Sequence, residues 1–275
     1  MDWLWTVLYG FVAGLAEFLP LSSPAHQSIS VAIFGLTEAA PLRQFLIRAA
    51  CLAGLISSCG TQINKLRRDG HLAKQPARRR KRPVDSRSIA TIRLLNTAVF
   101  PLIIGLAFYR RATMWVDSLA MVTIFLLING ILLFLPQYIP SGNKDGRTLT
   151  RLDSLLIGLS GALSVFPGIS RMSAIHFAAS ARGADKNYAL QFALYLSVPA
   201  LIVMLIFDAV AIFAGIEALS FIVILQYLLA MAAAYFGSTF AISVMRSLAA
   251  RTGYAGFAFY CWGMALISMI LYLTT

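Results

Sequence analysis

Six segments of this chain are apolar over lengths that a soluble core rarely uses: residues 44–63, 91–109, 118–136, 188–214, 218–243 and 254–273. A helix needs about 20 consecutive apolar residues to cross the roughly 30 Å hydrocarbon core of a bilayer, and each segment comes to or near that length. The expectation is an all-α integral membrane protein with about six transmembrane helices. Composition agrees, since only 12% of the 275 residues are charged, against roughly 25% in soluble domains. Asp2, Trp3 and Trp5 stand where a signal peptide would carry a basic start, so no cleavable signal is expected.

The net charge of +12 raises nucleic acid as a partner, but its distribution argues against one. Eleven of the 23 Lys and Arg fall between Lys65 and Arg93, opposed there by Asp69 and Asp85 alone. The stretch 64–90 is poor in apolar residues and lacks the interleaved aromatics that stack bases, so it reads as a cytoplasmic anchor that touches anionic lipid and is unable to fold alone. With that loop inside, alternation of the spans puts 18 of the 23 basic residues inside. Arg43, Arg48, Arg110 and Arg111 are exceptions near the outer side, and Arg171 falls within the membrane. Cys51 and Cys59, about 12 Å apart along one helix, are too distant for a disulfide and with Cys261 are expected to pack. Trp3, Trp5, Trp115, Tyr260 and Trp262 are expected at interfaces or between helices.

Two regions, 3–36 and 152–183, break at a proline within a serine-bearing turn and resume as short segments. They read as re-entrant pairs, a form tolerated in a bilayer only where irregular backbone is buried or lines a wet cavity. Gly10–His26, GFVAGLAEFLPLSSPAH, also resembles Gly158–His176, GLSGALSVFPGISRMSAIH, and three long spans follow each. Three spans per half reverse the orientation, so residues 1–140 and 141–275 are expected to form an inverted-topology repeat whose turns meet near the midplane.

Glu17 and Asp208 are the acids well inside apolar sequence, where an ionisable group costs several kcal/mol unless paired or facing a polar cavity. If the two breaks meet, Arg171 is the counter-charge of Glu17. Ser22, Ser23, Ser170 and Ser173 add hydroxyls and nearby backbone N–H groups, which together suit a phosphate. Phosphate chemistry asks for a cation on the nonbridging oxygens, a carboxylate for a divalent metal or a water, and a proton carrier. Arg171, Glu17 and His26 fit these roles, His26 alternatively as nucleophile. A buried Glu–Arg pair among helix-capping serines is the competing structural reading. His176, the repeat-mate of His26, is either a further proton donor or ligand or a histidine packed beside its turn.

The segment Ala13-Gly14-Leu15-Ala16-Glu17-Phe18-Leu19-Pro20-Leu21-Ser22-Ser23-Pro24-Ala25-His26 resembles the first signature of the undecaprenyl-diphosphate phosphatases, or bacitracin-resistance proteins, E-G-x-x-E-F-L-P-V-S-S-T-G-H. Pro167-Gly168-Ile169-Ser170-Arg171-Met172-Ser173-Ala174 resembles their second, P-G-x-S-R-S-G-A. The resemblance implies a membrane enzyme that removes the terminal phosphate of the C55 polyprenyl diphosphate carrier at the outer face of the plasma membrane and returns it to cell-wall synthesis. It also implies a divalent cation, Mg²⁺ or Ca²⁺, with Glu17 as ligand, His26 as catalytic histidine, and Ser170 and Arg171 binding phosphate. The expected partners are the lipid diphosphate, membrane lipids and a second copy of the chain, with no nucleic acid.

The chain departs from the pattern at three places. Ala13 replaces the first glutamate, Pro24-Ala25 replaces Thr-Gly, and Met172-Ser173 replaces Ser-Gly. One carboxylate is left where two would lie a helical turn apart. A noncatalytic or weakly catalytic polyprenyl-phosphate flippase therefore stands as the alternative.

Overall fold

In the computed structural model, residues 3–34, 41–79, 82–108, 118–140, 142–214, 220–250 and 253–274 are described. Their order is α1 (Trp3–Phe18), α2 (Ser23–Phe34), α3 (Pro41–Ala73), α4 (Ser86–Ala107), α5 (Leu119–Phe134), α6 (Arg151–Ala162), α7 (Arg171–Ala181), α8 (Lys186–Ala214), α9 (Phe221–Ala250) and α10 (Gly256–Thr274). Single 3₁₀ turns cover Ala77–Arg79, Leu135–Tyr138 and Leu163–Val165. Helices α3, α4, α5 with its 3₁₀ extension, α8, α9 and α10 are the six long and apolar enough to span a membrane, so the protein is a multi-pass membrane protein. Their outward faces carry large exposed apolar side chains such as Phe100, Phe213, Phe236 and Leu266, which lipid covers.

The two interrupted regions form helix–break–helix pairs, α1/α2 and α6/α7. At 1.5 Å per residue, the 12 residues of α6 reach about 18 Å, well short of the roughly 30 Å core. Each pair rests on the bundle through its first helix: α1 packs on α9, and α6 packs on α4. Small residues make both contacts close. A Cβ on Gly10 or Gly14 would stand 2.2 Å from the carbonyl oxygen of Ala230 or Ala234, and one on Gly158 would stand 2.1 Å from that of Ala98. Membrane helices associate through such close backbone approach because lipid supplies no hydrophobic drive between them.

The ends of α6/α7 are tied by charge. Thr150 and Asp153 form a reciprocal capping box at the start of α6, and the buried Asp153 also accepts from Arg182 at 2.5 Å. The first spans of the two halves, α3 and α8, pack together, as do the third spans, α5 and α10. The three cysteines are free and buried, as packing residues should be. Trp3 and Trp5 are exposed, while Trp262 donates to the Leu127 carbonyl at 3.3 Å. Trp115, Arg110, Arg111 and the end of the first interrupted region lie outside the described residues.

One expectation needs correction. The basic stretch 64–90 is not an unstructured loop through most of its length, because α3 continues to Ala73 and α4 begins at Ser86. The segment does not fold alone. It extends a helix already nucleated in the membrane, and Gly70 lets it lie against Ile92 of α4. Lys65 reaches Asp85 at 2.6 Å, and the Asp85 carboxylate caps α4 by accepting from the Arg87 N–H at 2.9 Å.

Two predictions follow from these contacts. Gly14→Leu should lower the thermal unfolding temperature in detergent, since overpacking costs about 1–3 kcal/mol; Gly60→Ala, where nothing lies within 4 Å, should leave it nearly unchanged. The Asp85 carboxyl is held below its ordinary value of 3.8, first by the hydrogen bond from Lys65 and then by the Arg87 N–H. Because the folded value is depressed, the cap's contribution is complete above pH 3.8 and disappears as pH falls below that value toward the lower folded one. Amide exchange in the first turn of α4 should accelerate over that acidic interval.

Candidate active site

Backbone that leaves a helix inside a membrane must find new partners for its N–H and C=O groups. Here the two breaks supply them to each other. Ser22 has φ +66°, the only positive φ on a non-glycine residue among those described. Its hydroxyl accepts from the Gly168 N–H at 3.0 Å. Gly168 itself has φ +119°, and a Cβ there would meet Phe125 Cβ at 2.6 Å and the Leu126 nitrogen at 2.8 Å. Only glycine fits that approach.

A third element closes the junction. Asn129, fully buried on α5, donates through Nδ2 to the Pro20 carbonyl at 3.0 Å. Its Oδ1 accepts from the Ser170 N–H at 2.9 Å and from the Ser173 hydroxyl. One amide thus holds both breaks. Sequence reasoning passed over Asn129, although an Asn within an otherwise apolar span is a signal of interhelical hydrogen bonding.

The junction brings Glu17, at the end of α1, to Arg171, at the start of α7, with Nη2 to Oε1 at 2.6 Å. Arg171 Nε donates to the Ser197 hydroxyl at 3.2 Å, which leaves the Nη1 donors for another acceptor. Both charged groups line a cavity of about 60 Å³ with Ala13, Ser22, Ser23 and Ser170. Because α2 starts at Ser23 and α7 at Arg171, two helix N-termini converge there. Their unpaired N–H groups and positive dipole ends favour an anion.

The cavity has a second set of polar walls. Gln44 and Arg48, one and two turns into α3, line it with Tyr9, Gln27 and Ser164. Arg48 is paired with Asp208 of α8, and the Arg43 guanidinium lies 4.7 Å from the Tyr9 ring centroid. Sequence reasoning treated Arg43 and Arg48 as exceptions in a charge count and set Asp208 aside. Charges inside apolar runs were the signal for this wall.

The remaining site residues fall elsewhere. His26 does not line the cavity. Its Nδ1 lies 2.9 Å from the Ser22 carbonyl oxygen and its Nε2 2.7 Å from the Tyr260 hydroxyl, with the two rings stacked at 5.6 Å between centroids. Tyr260, expected at an interface or between helices, is thus the partner of the motif histidine. Ser173 is turned into the junction, donating to Asn129 and to the Ser170 carbonyl. His176 is remote from the cavity and packs edge-on against Tyr254 at 4.6 Å, with no hydrogen-bond partner at Nδ1.

The donor set does not form a metal cage. Among the described residues no group of three or more His, Cys, Asp or Glu is placed to hold an ion. Among the described residues Glu17 is the one carboxylate lining the cavity, it is engaged by Arg171, and Ala13 lines the wall at the position where the family pattern has a second carboxylate.

The chain resembles known proteins over nearly its full length. A family model described as bacitracin resistance protein BacA matches residues 6–267. The undecaprenyl-diphosphatase of Carboxydothermus hydrogenoformans is 27% identical over 271 residues, covering 96% of this chain and 95% of the relative. That of Thermosipho melanesiensis is 26% identical over 267 residues, covering 96% and 98%. Undecaprenyl-diphosphatase 3 of Bacillus cereus is 28% identical over 282 residues, covering 100% and 99%.

Asn129→Leu is expected to be among the most damaging single changes at the junction, because it strands the Ser170 N–H at about 1–3 kcal/mol and leaves the Pro20 carbonyl only the weak Cys261 thiol donor. Thermal unfolding should show the loss. Asn129→Asp, which keeps the acceptor and removes the amide donor, should also destabilise the protein by leaving Pro20 without that donor.

Proposed function

The chain belongs to the BacA family, and from that premise we propose that it hydrolyses undecaprenyl diphosphate to undecaprenyl phosphate and inorganic phosphate. The observation that carries this reading is the Glu17–Arg171 pair at 2.6 Å, set where the N-termini of α2 and α7 converge. The relatives are named as diphosphatases, and none of those names supports a noncatalytic flippase.

In this reading Arg171 presents its Nη1 donors to the terminal phosphate, and the two helix N-termini with Ser23 and Ser170 bind its other nonbridging oxygens. A guanidinium suits this task by its planar, always charged fork. Charge that builds on those oxygens as the P–O–P bridge breaks is met by donors already in place, which need no reorganisation. Glu17 orients Arg171 and accepts a hydrogen bond from the attacking water. His26 is the proton carrier in this reading: its imidazole turns from the Ser22 carbonyl toward the cavity to take the attacking water's proton. Among the described residues no group of three or more His, Cys, Asp or Glu forms a cage for the divalent cation expected from the family resemblance, and no step here is routed through it.

The remaining expectations form part of the same proposal. Residues 1–140 and 141–275 are inverted repeats, supported by reciprocal packing: α1 of the first half lies on the second span of the other, and α6 lies on the second span of the first. The cavity walls formed by Gln44 and Arg48 lie toward the end of α3 away from its basic terminus. The positive-inside rule puts that terminus in the cytoplasm, so the reaction takes place at the outer face of the plasma membrane.

The test is release of inorganic phosphate from a C55 polyprenyl diphosphate by purified protein in detergent. Arg171→Ala should reduce release by about 10²–10³-fold and His26→Ala by about 10²–10⁴-fold. Ala13→Glu should raise it by restoring a second carboxylate. Unchanged release in both loss variants would overturn the assignment, and binding without any release would point to a carrier of lipid phosphates.

A further inference from the structure

A second cavity, of about 40 Å³, lies apart from the one that holds Glu17 and Arg171, and no residue lines both. Its walls come from the 3₁₀ turn after α5, from α7, from the start of α8 and from the turn before α10, with Gln137, His176, Ser180, Lys186, Tyr254 and Ala255 among them. We propose that this cavity binds a phosphate group, with Lys186 as its cation and the imidazole of His176 as its buried hydrogen-bonding wall.

The frame of this cavity is tied by hydrogen bonds. The Lys144 N–H donates to the Gly183 carbonyl at 3.0 Å and the Asp185 N–H to the Lys144 carbonyl at 2.9 Å, which fixes the approach to α8. The Tyr254 hydroxyl donates to the Met245 carbonyl at 3.1 Å, and its ring stands edge-on to His176. Within that frame His176 is only 7% exposed, and its Nδ1 has no hydrogen-bond partner among the described residues. Buried polar atoms are nearly always bonded to protein, water or a ligand, and this one belongs to a ring that lines the cavity. Lys186 is the one charged group among the described lining residues, which include no Asp or Glu. Asp185, its neighbour, uses its carboxylate to cap α8, accepting from the Tyr188 N–H at 2.9 Å. Helix α8 starts at Lys186, and α10 starts at Gly256, directly after the lining residue Ala255. Two helix N-termini therefore add unpaired N–H groups and positive partial charge. The ligand that fits such walls is an anion. At roughly 10–15 Å³ per water the cavity has room for about three waters, enough for a phosphate group and too little for a prenyl tail. An imidazole offers one donor and one acceptor, and hydrogen phosphate can match either nitrogen, whereas sulfate only accepts. Inorganic phosphate and the terminal group of a prenyl phosphate share this chemistry.

The experiment is calorimetry on the full-length Arg171→Gln variant in detergent, which lacks the motif arginine of the first cavity. Inorganic phosphate and farnesyl phosphate are titrated separately, with sulfate as control; no hydrolysis is read, so the outcome is independent of the proposed activity. At least one phosphate should bind, and sulfate should bind about tenfold more weakly or not at all. Adding Lys186→Gln or His176→Phe should weaken phosphate binding about tenfold each, the loss of one charge-assisted contact. Lys186 is exposed, so its replacement leaves the fold intact, and His176→Phe keeps a ring without an unpaired nitrogen and should not lower the unfolding temperature. Binding of inorganic phosphate would assign the site to free phosphate, and binding of farnesyl phosphate alone would assign it to a lipid headgroup. If neither phosphate binds, if sulfate binds equally well, or if either added substitution leaves binding unchanged, the proposal is overturned.

Discussion

The amide of Asn129 is the interaction on which the rest of this structure depends. Two chain segments give up helical hydrogen bonding inside the membrane, at Pro20 and at Pro167-Gly168, and a bilayer offers no water to replace what they lose. Asn129 accepts from one break and donates to the other, while Ser22 takes the Gly168 N–H directly. Separating the breaks would strand several buried polar groups at once. The geometry of the candidate site is therefore a consequence of backbone satisfaction. Glu17 and Arg171 meet because the turns next to them are joined to each other and to Asn129.

That junction also determines the electrostatics. Glu17 and Arg171 are each expensive to bury alone, and together they remain nearly dry, with the guanidinium still offering donors to the cavity. The N-termini of α2 and α7 add positive partial charge from the backbone, which cannot be titrated away. Two helix ends and two arginines meet at the cavity, and among the described residues that line it Glu17 is the one acid. The small-residue seams of α1 on α9 and α6 on α4 hold the two broken pairs at fixed depth, so these groups need little movement to meet an anion.

Much of this was legible along the chain. The length of the apolar runs required six spans, and the prolines among serines required breaks within 3–36 and 152–183. The glutamate just before one break and the arginine just after the other were natural counter-charges if the breaks met. Other features were hidden for identifiable reasons. Asn129 looked like one polar residue in a span, because its significance lies in partners more than 40 and 100 positions away. Arg48 and Asp208 were visible as misplaced charges, but a separation of 160 residues conceals a pair. The basic stretch after residue 64 looked unable to fold, because composition does not register that a helix already formed in the membrane can extend into it.

The sequence alone determined that this chain enters a membrane, crosses it six times, is interrupted twice and carries the residues of a phosphate-binding family. These properties follow from local length, hydropathy and motif, which tertiary contacts do not alter. The tertiary structure alone decided which residues share the cavity. It set Arg48 on the wall of the cavity that the motif arginine lines, drew Ser173 into the junction, and turned His26 toward Tyr260. The physical reason is that a side chain's direction depends on the rotation and depth of its helix. Those are fixed by packing between helices distant in sequence, and no local pattern encodes them.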